Sequence, residues 1–200
     1  MHVTVIGSGN IGGTLGAAFA RAGHTVAFGV RDPASATPPE GAPDGVEVID
    51  VAGALARADV VVLALPGPAV AGLVGEHSAV LDGRLVIDAT NTMSGGTANS
   101  HDVITMAVPG VRYARAFNTL GVENLREPEI AGERADMFFS AADADRSTVA
   151  DLIQAVGLRP VWVGENTHDT VDGVLRLWFA LARSHGRHLA FRVLTDSGQV

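Results

Sequence analysis

A glycine-rich turn close to the N-terminus is the segment whose residue types and spacing point most directly to chemistry. The turn reads Gly7-Ser8-Gly9-Asn10-Ile11-Gly12 and directly follows a β-branched run, residues 3–6. A G-x-G-x-x-G pattern between a strand and a helix is typical of backbone that binds the pyrophosphate of a dinucleotide. We therefore expect all six residues to contact such a cofactor, with the amides of Asn10 and Ile11 at the helix N-terminus.

The end of the second predicted strand indicates which dinucleotide to expect. In strand register, Val30 takes the position of the acid that binds the adenosine ribose in NAD-binding proteins. The next residue, Arg31, offers a guanidinium group to a 2′-phosphate. Counting twenty residues from the last glycine would select Asp32 instead and would favour NAD. The register argument predicts NADP, with Val30 and Arg31 as contacts, and keeps NAD as the alternative.

Further candidate contacts follow later strands. Leu65-Pro66 closes one apolar run, while Asn91-Thr92 and Asn118-Thr119 each stand just past a predicted strand. Ligands of open α/β sheets bind beyond the carboxyl ends of the strands, where a side-chain amide can bond to a carboxamide or a planar ring. Asn and Thr also cap helices and close turns, so both interpretations stay open.

The composition excludes several classes of function. The chain has no Cys, and all fourteen of its basic residues are Arg, so thiol nucleophiles, Cys-bound metals and Schiff-base lysines are excluded. The seven His lack the spacing of metal ligands, so no metal is expected. A net charge of −8 without a basic stretch argues against nucleic-acid binding. Apolar runs shorter than the roughly 20 residues of a spanning helix predict no membrane segment.

The elements that must position these residues alternate along the chain. Apolar runs predict strands, and helical spacing of apolar residues predicts helices between them. The alternation indicates an α/β protein with a Rossmann-like, doubly wound, mainly parallel sheet and a short C-terminal helical segment. Residues 1–164 are expected to form the dinucleotide-binding domain. Residues 165–200 are expected to pack on that domain or on a second subunit.

The C-terminal segment also predicts self-association. Trp178, Phe179 and Phe191 are large apolar side chains on a segment too short to form its own core. We therefore expect a homodimer. The N-terminus enters a strand at once and shows no leader, so a cytoplasmic location is expected.

These motifs together resemble the family of NADP oxidoreductases that depend on the deazaflavin coenzyme F-420. The nucleotide domain is also similar to that of STEAP-type ferrireductases. The resemblance rests on the glycine-rich turn, residues 29–33, Leu65-Pro66, residues 88–91 and, most specifically, Arg115-Ala116-Phe117-Asn118-Thr119-Leu120-Gly121.

The resemblance implies direct hydride transfer between stacked nicotinamide and deazaflavin rings, with no obligatory catalytic side chain. It places the nicotinamide near Leu65, Pro66 and Asn118, and it adds Asn91 and Ala116 to the cofactor contacts. Val30 departs from the family, which usually has Ser at that position.

Two other functions stay open. The chain could reduce another small acceptor, such as a flavin, an imine or a carbonyl compound. A carbonyl reductase would need a proton donor, for which His101, His168 and Tyr113 are the candidates. Alternatively, the chain could bind NADP(H) as a non-catalytic sensing module.

Overall fold

The computed structural model describes residues 1–92 and 96–196 of the 200-residue chain. The chain consists of two compact units, Met1–Tyr113 and Ala114–Val200. This division lies well before the boundary predicted between residues 164 and 165. Residues 197–200 of the predicted C-terminal segment lie outside the described residues.

The first unit is built from parallel strands that alternate with helices. The strands are β1 (His2–Ile6), β2 (Thr25–Val30), β3 (Glu47–Asp50), β4 (Val60–Leu63) and β5 (Leu85–Asp88). The helices are α1 (Asn10–Arg21), α2 (Val51–Ala56), α3 (Val70–Leu81) and α4 (His101–Ala107), with a 3₁₀ turn at Gly67–Ala69. Every residue of β4 and β5 is buried, as strands covered on both faces require.

The strand order of this unit is β3-β2-β1-β4-β5, and each neighbouring pair is parallel. This is the order of a mononucleotide-binding half of a Rossmann fold, which reverses its direction of growth next to β1. The predicted fold class is therefore confirmed. At such a reversal, the loops that follow β1 and β4 diverge and leave a crevice at the carboxyl end of the sheet.

One apolar cluster holds the helices of this unit against the sheet. Its fully buried members come from β1, α2, β4, α3, β5 and α4, and they include Leu55, Val61, Leu63, Val74, Leu81, Val86 and Ile104. Burying a side chain of this size contributes about 1.5–3 kcal/mol. The cluster therefore fixes the strand ends from which the candidate contacts extend.

The second unit begins within β6 (Arg112–Arg115), which crosses the boundary between the units. The other strands are β7 (Glu129–Ile130), β8 (Glu133–Arg134), β9 (Asp136–Ala141) and β10 (Arg159–Trp162). The helices are α5 (Val122–Arg126), α6 (Asp143–Ala155) and α7 (His168–His185). Strand β9 is antiparallel to β6 and parallel to β10.

The chain after α7 forms an extended strap, residues 187–195, across this unit. The Trp178 indole donates to the Leu189 carbonyl at 2.9 Å, and the Asp136 amide donates to the Phe191 carbonyl at 3.1 Å. Trp178 is 1% exposed, so its own unit buries the indole and Trp178 is not part of an exposed surface for self-association. On the same helix, Leu177 is 52% exposed. Among the described residues, no helix combines the length and the hydropathy that crossing a bilayer would require.

Candidate functional site

The glycine-rich turn lies between β1 and α1, where the sequence predicts it. Gly7 has a φ of 105°, and a Cβ there would lie 2.5 Å from the Ala64 carbonyl oxygen. A Cβ on Gly12 would clash with the Gly7 carbonyl oxygen, so α1 starts tightly against the turn. The fold itself therefore requires glycine at both positions.

Gly9 differs from these two glycines. Its φ is −70°, which any residue adopts, and a Cβ there would meet no described heavy atom within 4 Å. The packing of this chain therefore does not explain the glycine. A ligand that must approach the backbone closely does explain it, because a methyl group would fill the space in front of the amides.

The partial positive charge at the N-terminus of α1 is not offset by a side chain of the helix itself. Gly9 is its N-cap, no side chain caps the helix in the described structure, and its first turn contains no acidic residue. Asn10 is exposed, and Ser8 and Ile11 are half-buried. The first N–H groups of a helix lack helical partners and carry its positive dipole end, which favours an anion.

Val30 and Arg31 lie at the carboxyl end of β2, in the same unit. Val30 is half-buried and pairs with Asp50 of β3, while Arg31 is exposed just beyond the strand. Within residues 1–92 and 96–196, no hydrogen bond or ion pair engages the Arg31 guanidinium. Asp50 accepts from the Gly53 amide at 2.8 Å and so caps α2.

Asp32 is committed to its own turn. Its carboxylate accepts hydrogen bonds from the Ser35 hydroxyl and, at 3.2 Å, from the Ala34 amide. The Ser35 bond, helped by the backbone amides, holds the pKa of Asp32 below its usual value, so the carboxylate is ionised at neutral pH. This local role fits the expectation that Asp32 is not the ribose-binding acid.

The predicted contacts after β4 and β5 lie on neighbouring strands. Ala64 and Ala89 continue the strand ladders by donating to the Ile6 and Leu63 carbonyls. Beyond them, Leu65 and Asn91 are half-buried and Pro66 is exposed. A Cβ on Gly67 would clash with the Thr92 hydroxyl, so the two loops touch. Gly7, Leu65, Pro66 and Asn91 therefore share one edge of the first unit.

A buried carboxylate anchors the segment that carries Asn91. Asp88, at the end of β5, accepts from the Thr90 amide at 2.9 Å, from its hydroxyl at 2.6 Å and from the Ser100 amide at 2.7 Å. The Tyr113 hydroxyl also donates to Asp88, at 2.9 Å. The His101 ring packs edge-on against Tyr113, and its Nδ1 lies 2.9 Å from an Asp102 oxygen. The polar residues at the end of β5, Asp88 and Thr90, therefore hold the turn that carries Asn91 in place.

Ala116 and Asn118 lie in the second unit, just past β6. Both are buried, and the residue between them, Phe117, has a left-handed φ of 62°. A bulky residue in this region is strained by roughly 1–3 kcal/mol and persists only where its surroundings fix it. Strand β6 ends at Arg115, two residues before this left-handed conformation.

The sequence analysis missed two buried polar residues of this unit. Asp172 of α7 is fully buried and accepts from Arg115 and Asn118. Asp172 interrupts the apolar face of α7, and an acidic residue at such a position indicates a buried partner of opposite charge. Asn124 is also fully buried, and neither atom of its amide group has a hydrogen-bond partner among the described residues.

Comparison with known proteins gives a family and a set of related folds. The model of the family described as NADP oxidoreductase, coenzyme F420-dependent, matches residues 2–92. A structure from Arthrobacter sp. FB24, named as a candidate F420-dependent NADP reductase, is 25% identical with a TM-score of 0.82, covering 96% of this chain and 99% of that one. The hypothetical protein SMa0349 from Sinorhizobium meliloti is 27% identical with a TM-score of 0.72, covering 98% and 96%.

A more distant likeness concerns the fold alone. A reductive aminase from Aspergillus terreus, solved with NADPH4, cyclohexanone and allyl amine, is 18% identical with a TM-score of 0.69, covering 90% of this chain and 60% of that one.

The resemblance to F-420-dependent NADP oxidoreductases is confirmed over residues 2–92, and with it the predicted enzyme class, an NADP-dependent oxidoreductase. The similarity to STEAP-type ferrireductases stays a prediction.

Proposed function

We propose that this oxidoreductase transfers a hydride between NADP(H) and the deazaflavin coenzyme F-420, which is its small-molecule substrate. The observation that supports NADP(H) binding is the open space around Gly9 at the start of α1. These open surroundings and the uncapped, acid-free N-terminus of α1 leave room and positive potential for a diphosphate. Residues Gly7 to Gly12 therefore hold the pyrophosphate through their backbone.

The adenosine end of the cofactor lies, in this proposal, at the end of β2. Arg31 binds the 2′-phosphate, because its guanidinium is exposed and uncommitted in the described structure. Val30 contacts the ribose without a carboxylate that would repel the phosphate. Asp32 does not compete for Arg31, since its carboxylate is held by Ser35 and the Ala34 amide.

The nicotinamide end involves predicted residues of the first unit. Leu65 and Pro66 exclude water from one side of the ring, while Asn91 contributes a polar contact. When bound, NADPH supplies a hydride from the nicotinamide ring, and F-420 accepts that hydride together with one proton from solvent. The contribution of the protein is orientation and exclusion of water, which hydride transfer between two rings requires more than acid–base groups.

The geometry at Tyr113 favours this reaction over carbonyl reduction. A carbonyl acceptor needs a proton delivered to its oxygen as the hydride arrives. The Tyr113 hydroxyl donates to the buried Asp88 carboxylate, and His101 is engaged by Asp102 and by the Tyr113 ring. Two of the three candidate proton donors, Tyr113 and His101, are thus engaged in anchoring the turn after β5.

The proposal also covers the location and the oligomeric state of the enzyme. We place it in the cytoplasm as a homodimer, with the exposed Leu177 face of α7 as the contributing surface. Light scattering on the purified chain tests the dimer, and a monomeric mass would refute it. The catalytic proposal does not depend on this result.

The test of function is a steady-state assay with purified chain, NADPH and F-420, followed through the absorbance of both rings. Flavins, an imine and a carbonyl compound serve as alternative acceptors, and NADH as an alternative donor. Turnover with F-420 that requires NADPH supports the proposal. Turnover only with another acceptor refutes F-420, and tight NADPH binding without any turnover indicates a sensing module. Failure to bind either nucleotide refutes the entire proposal.

A further inference from the structure

An acidic side chain directly follows the predicted 2′-phosphate contact, and a local turn holds it in place. Asp32 comes one residue after Arg31 and is exposed, so packing does not fix its carboxylate. The Ser35 hydroxyl donates to one carboxylate oxygen, Oδ2, and the Ala34 amide donates to the other, Oδ1, at 3.2 Å. The direction of this carboxylate therefore depends on hydrogen bonds within one short turn.

Pro33 makes this arrangement a local property of the sequence. A residue before proline avoids the helical region, so the backbone of Asp32 is restricted mainly to extended conformations. Pro33 begins a turn that the Ala36 amide closes by donating to the Pro33 carbonyl at 3.3 Å. The turn brings Ser35 back beside the Asp32 side chain. Its hydroxyl makes the largest contribution to holding the pKa of Asp32 below the usual value.

The direction of the Asp32 carboxylate matters for the choice of nucleotide. An acid at the end of the second strand of a dinucleotide-binding domain binds the ribose of NAD, and its charge repels a 2′-phosphate. Consecutive Cα atoms are about 3.8 Å apart, so a released Asp32 carboxylate would lie within reach of a phosphate bound by Arg31. It would also compete with that phosphate for the Arg31 guanidinium.

We infer that Ser35 is a specificity-determining residue, which holds the Asp32 carboxylate in the turn and so keeps it away from the 2′-phosphate of NADP(H). The inference rests on the proposed function for the identity of the nucleotide, and all of its residues belong to the first unit. Ser35 acts through Asp32 as a positioning residue and not as a ligand of the phosphate. The Arg31 guanidinium thereby stays available to the nucleotide.

Removing the hydroxyl tests this role directly. In Ser35→Ala, we expect the dissociation constant of NADPH to rise by about 3- to 10-fold, because a negative charge is free to approach the 2′-phosphate. NADH lacks this phosphate, so its dissociation constant should stay within about two-fold of the wild-type value. Ser35→Thr keeps a hydroxyl at this position and should retain most of the wild-type preference for NADPH.

A second substitution shows whether Ser35 acts through Asp32. Asp32→Ala removes the carboxylate, so adding Ser35→Ala to it should change the affinity for NADPH by less than about two-fold. If Ser35 instead bound the phosphate directly, its loss would weaken NADPH binding equally with and without Asp32. Equal losses in the two backgrounds would overturn the inference, as would an unchanged affinity for NADPH in Ser35→Ala.

Isothermal titration calorimetry of NADPH and NADH with the full chain measures these constants, and thermal unfolding checks that each variant is folded. The matched control is Thr37→Ala, which removes an exposed hydroxyl from the same loop and should keep the wild-type affinities. Carbon-13 NMR adds a readout without nucleotide, since the pKa of Asp32 should rise in Ser35→Ala but not in Thr37→Ala. An unchanged pKa in Ser35→Ala refutes this inference alone, whereas binding of neither nucleotide refutes the proposed function.

Discussion

Replacing Gly9 by Ala should separate cofactor binding from folding. The backbone at Gly9 has a φ of −70° and a ψ of −168°, which alanine adopts without strain. A Cβ there would meet no described heavy atom within 4 Å. The folded state therefore tolerates the methyl group, while the unfolded chain loses conformational freedom. We expect the free energy of unfolding to stay equal or to rise by about 0.4–1 kcal/mol.

The same methyl group should weaken NADPH binding. It would occupy the space through which a diphosphate reaches the backbone amides of α1. Losing one charge-assisted hydrogen bond costs about 1.5–3 kcal/mol, which corresponds to an increase of roughly 10- to 150-fold in the dissociation constant. Calorimetry of NADPH binding together with urea unfolding measures both quantities on the same samples.

Two other glycines provide the controls. Gly75→Ala, on α3, also places a Cβ in open space and should raise stability without changing the affinity for NADPH. Gly12→Ala forces a Cβ into the Gly7 carbonyl and should impair both stability and binding. An unchanged affinity for NADPH in Gly9→Ala would refute the assignment of the turn as the diphosphate site.

Three further outcomes are expected. Arg31→Gln should raise the dissociation constant of NADPH by about ten-fold or more and leave that of NADH unchanged, because only NADPH carries the 2′-phosphate; equal losses for both would contradict the assignment. Tyr113→Phe should lower the free energy of unfolding by about 1–3 kcal/mol, since the Asp88 carboxylate loses a donor, and urea titration would show no change if that bond were unimportant. The Arg187 hydrogen bond lowers the pKa of Glu123 from 4.5, so its stabilisation is present above that pH and is lost as the pH falls through the lowered value. Urea unfolding at neutral pH and near pH 3 should therefore show a smaller loss of stability on acidification for Arg187→Met than for wild type, and equal losses would exclude this contribution.

Local patterns were sufficient to predict the strands of the first unit and its helices other than α4. Strands such as β4 are continuously apolar, and the glycine-rich turn has a spacing that only a strand–turn–helix satisfies. The short α4 and α5 were not predicted, because helices of five to seven residues show too little periodicity and depend on tertiary packing.

The second unit was harder to predict because its polar interactions join distant residues. Arg115 and Asp172 are 57 residues apart, and no spacing rule connects a strand end with the face of a later helix. The burial of Trp178 could not be predicted in detail, because the strap that covers it has no regular secondary structure. The indole donates to the Leu189 carbonyl, and the Arg187 guanidinium lies 5.1 Å from the indole centroid.

The attachment of the strap also constrains how this protein can be engineered. Asp136 is fully buried and bonds to the Val193 amide at 2.6 Å, and Arg159 donates to the Val193 carbonyl at 2.7 Å. Deleting the chain from Val193 onward would remove one donor from the buried Asp136 carboxylate and one acceptor from Arg159, and it would leave their ion pair without the cover of the strap. Affinity tags and fusion partners should therefore leave the strap intact to Thr195 and be attached beyond it through a flexible linker.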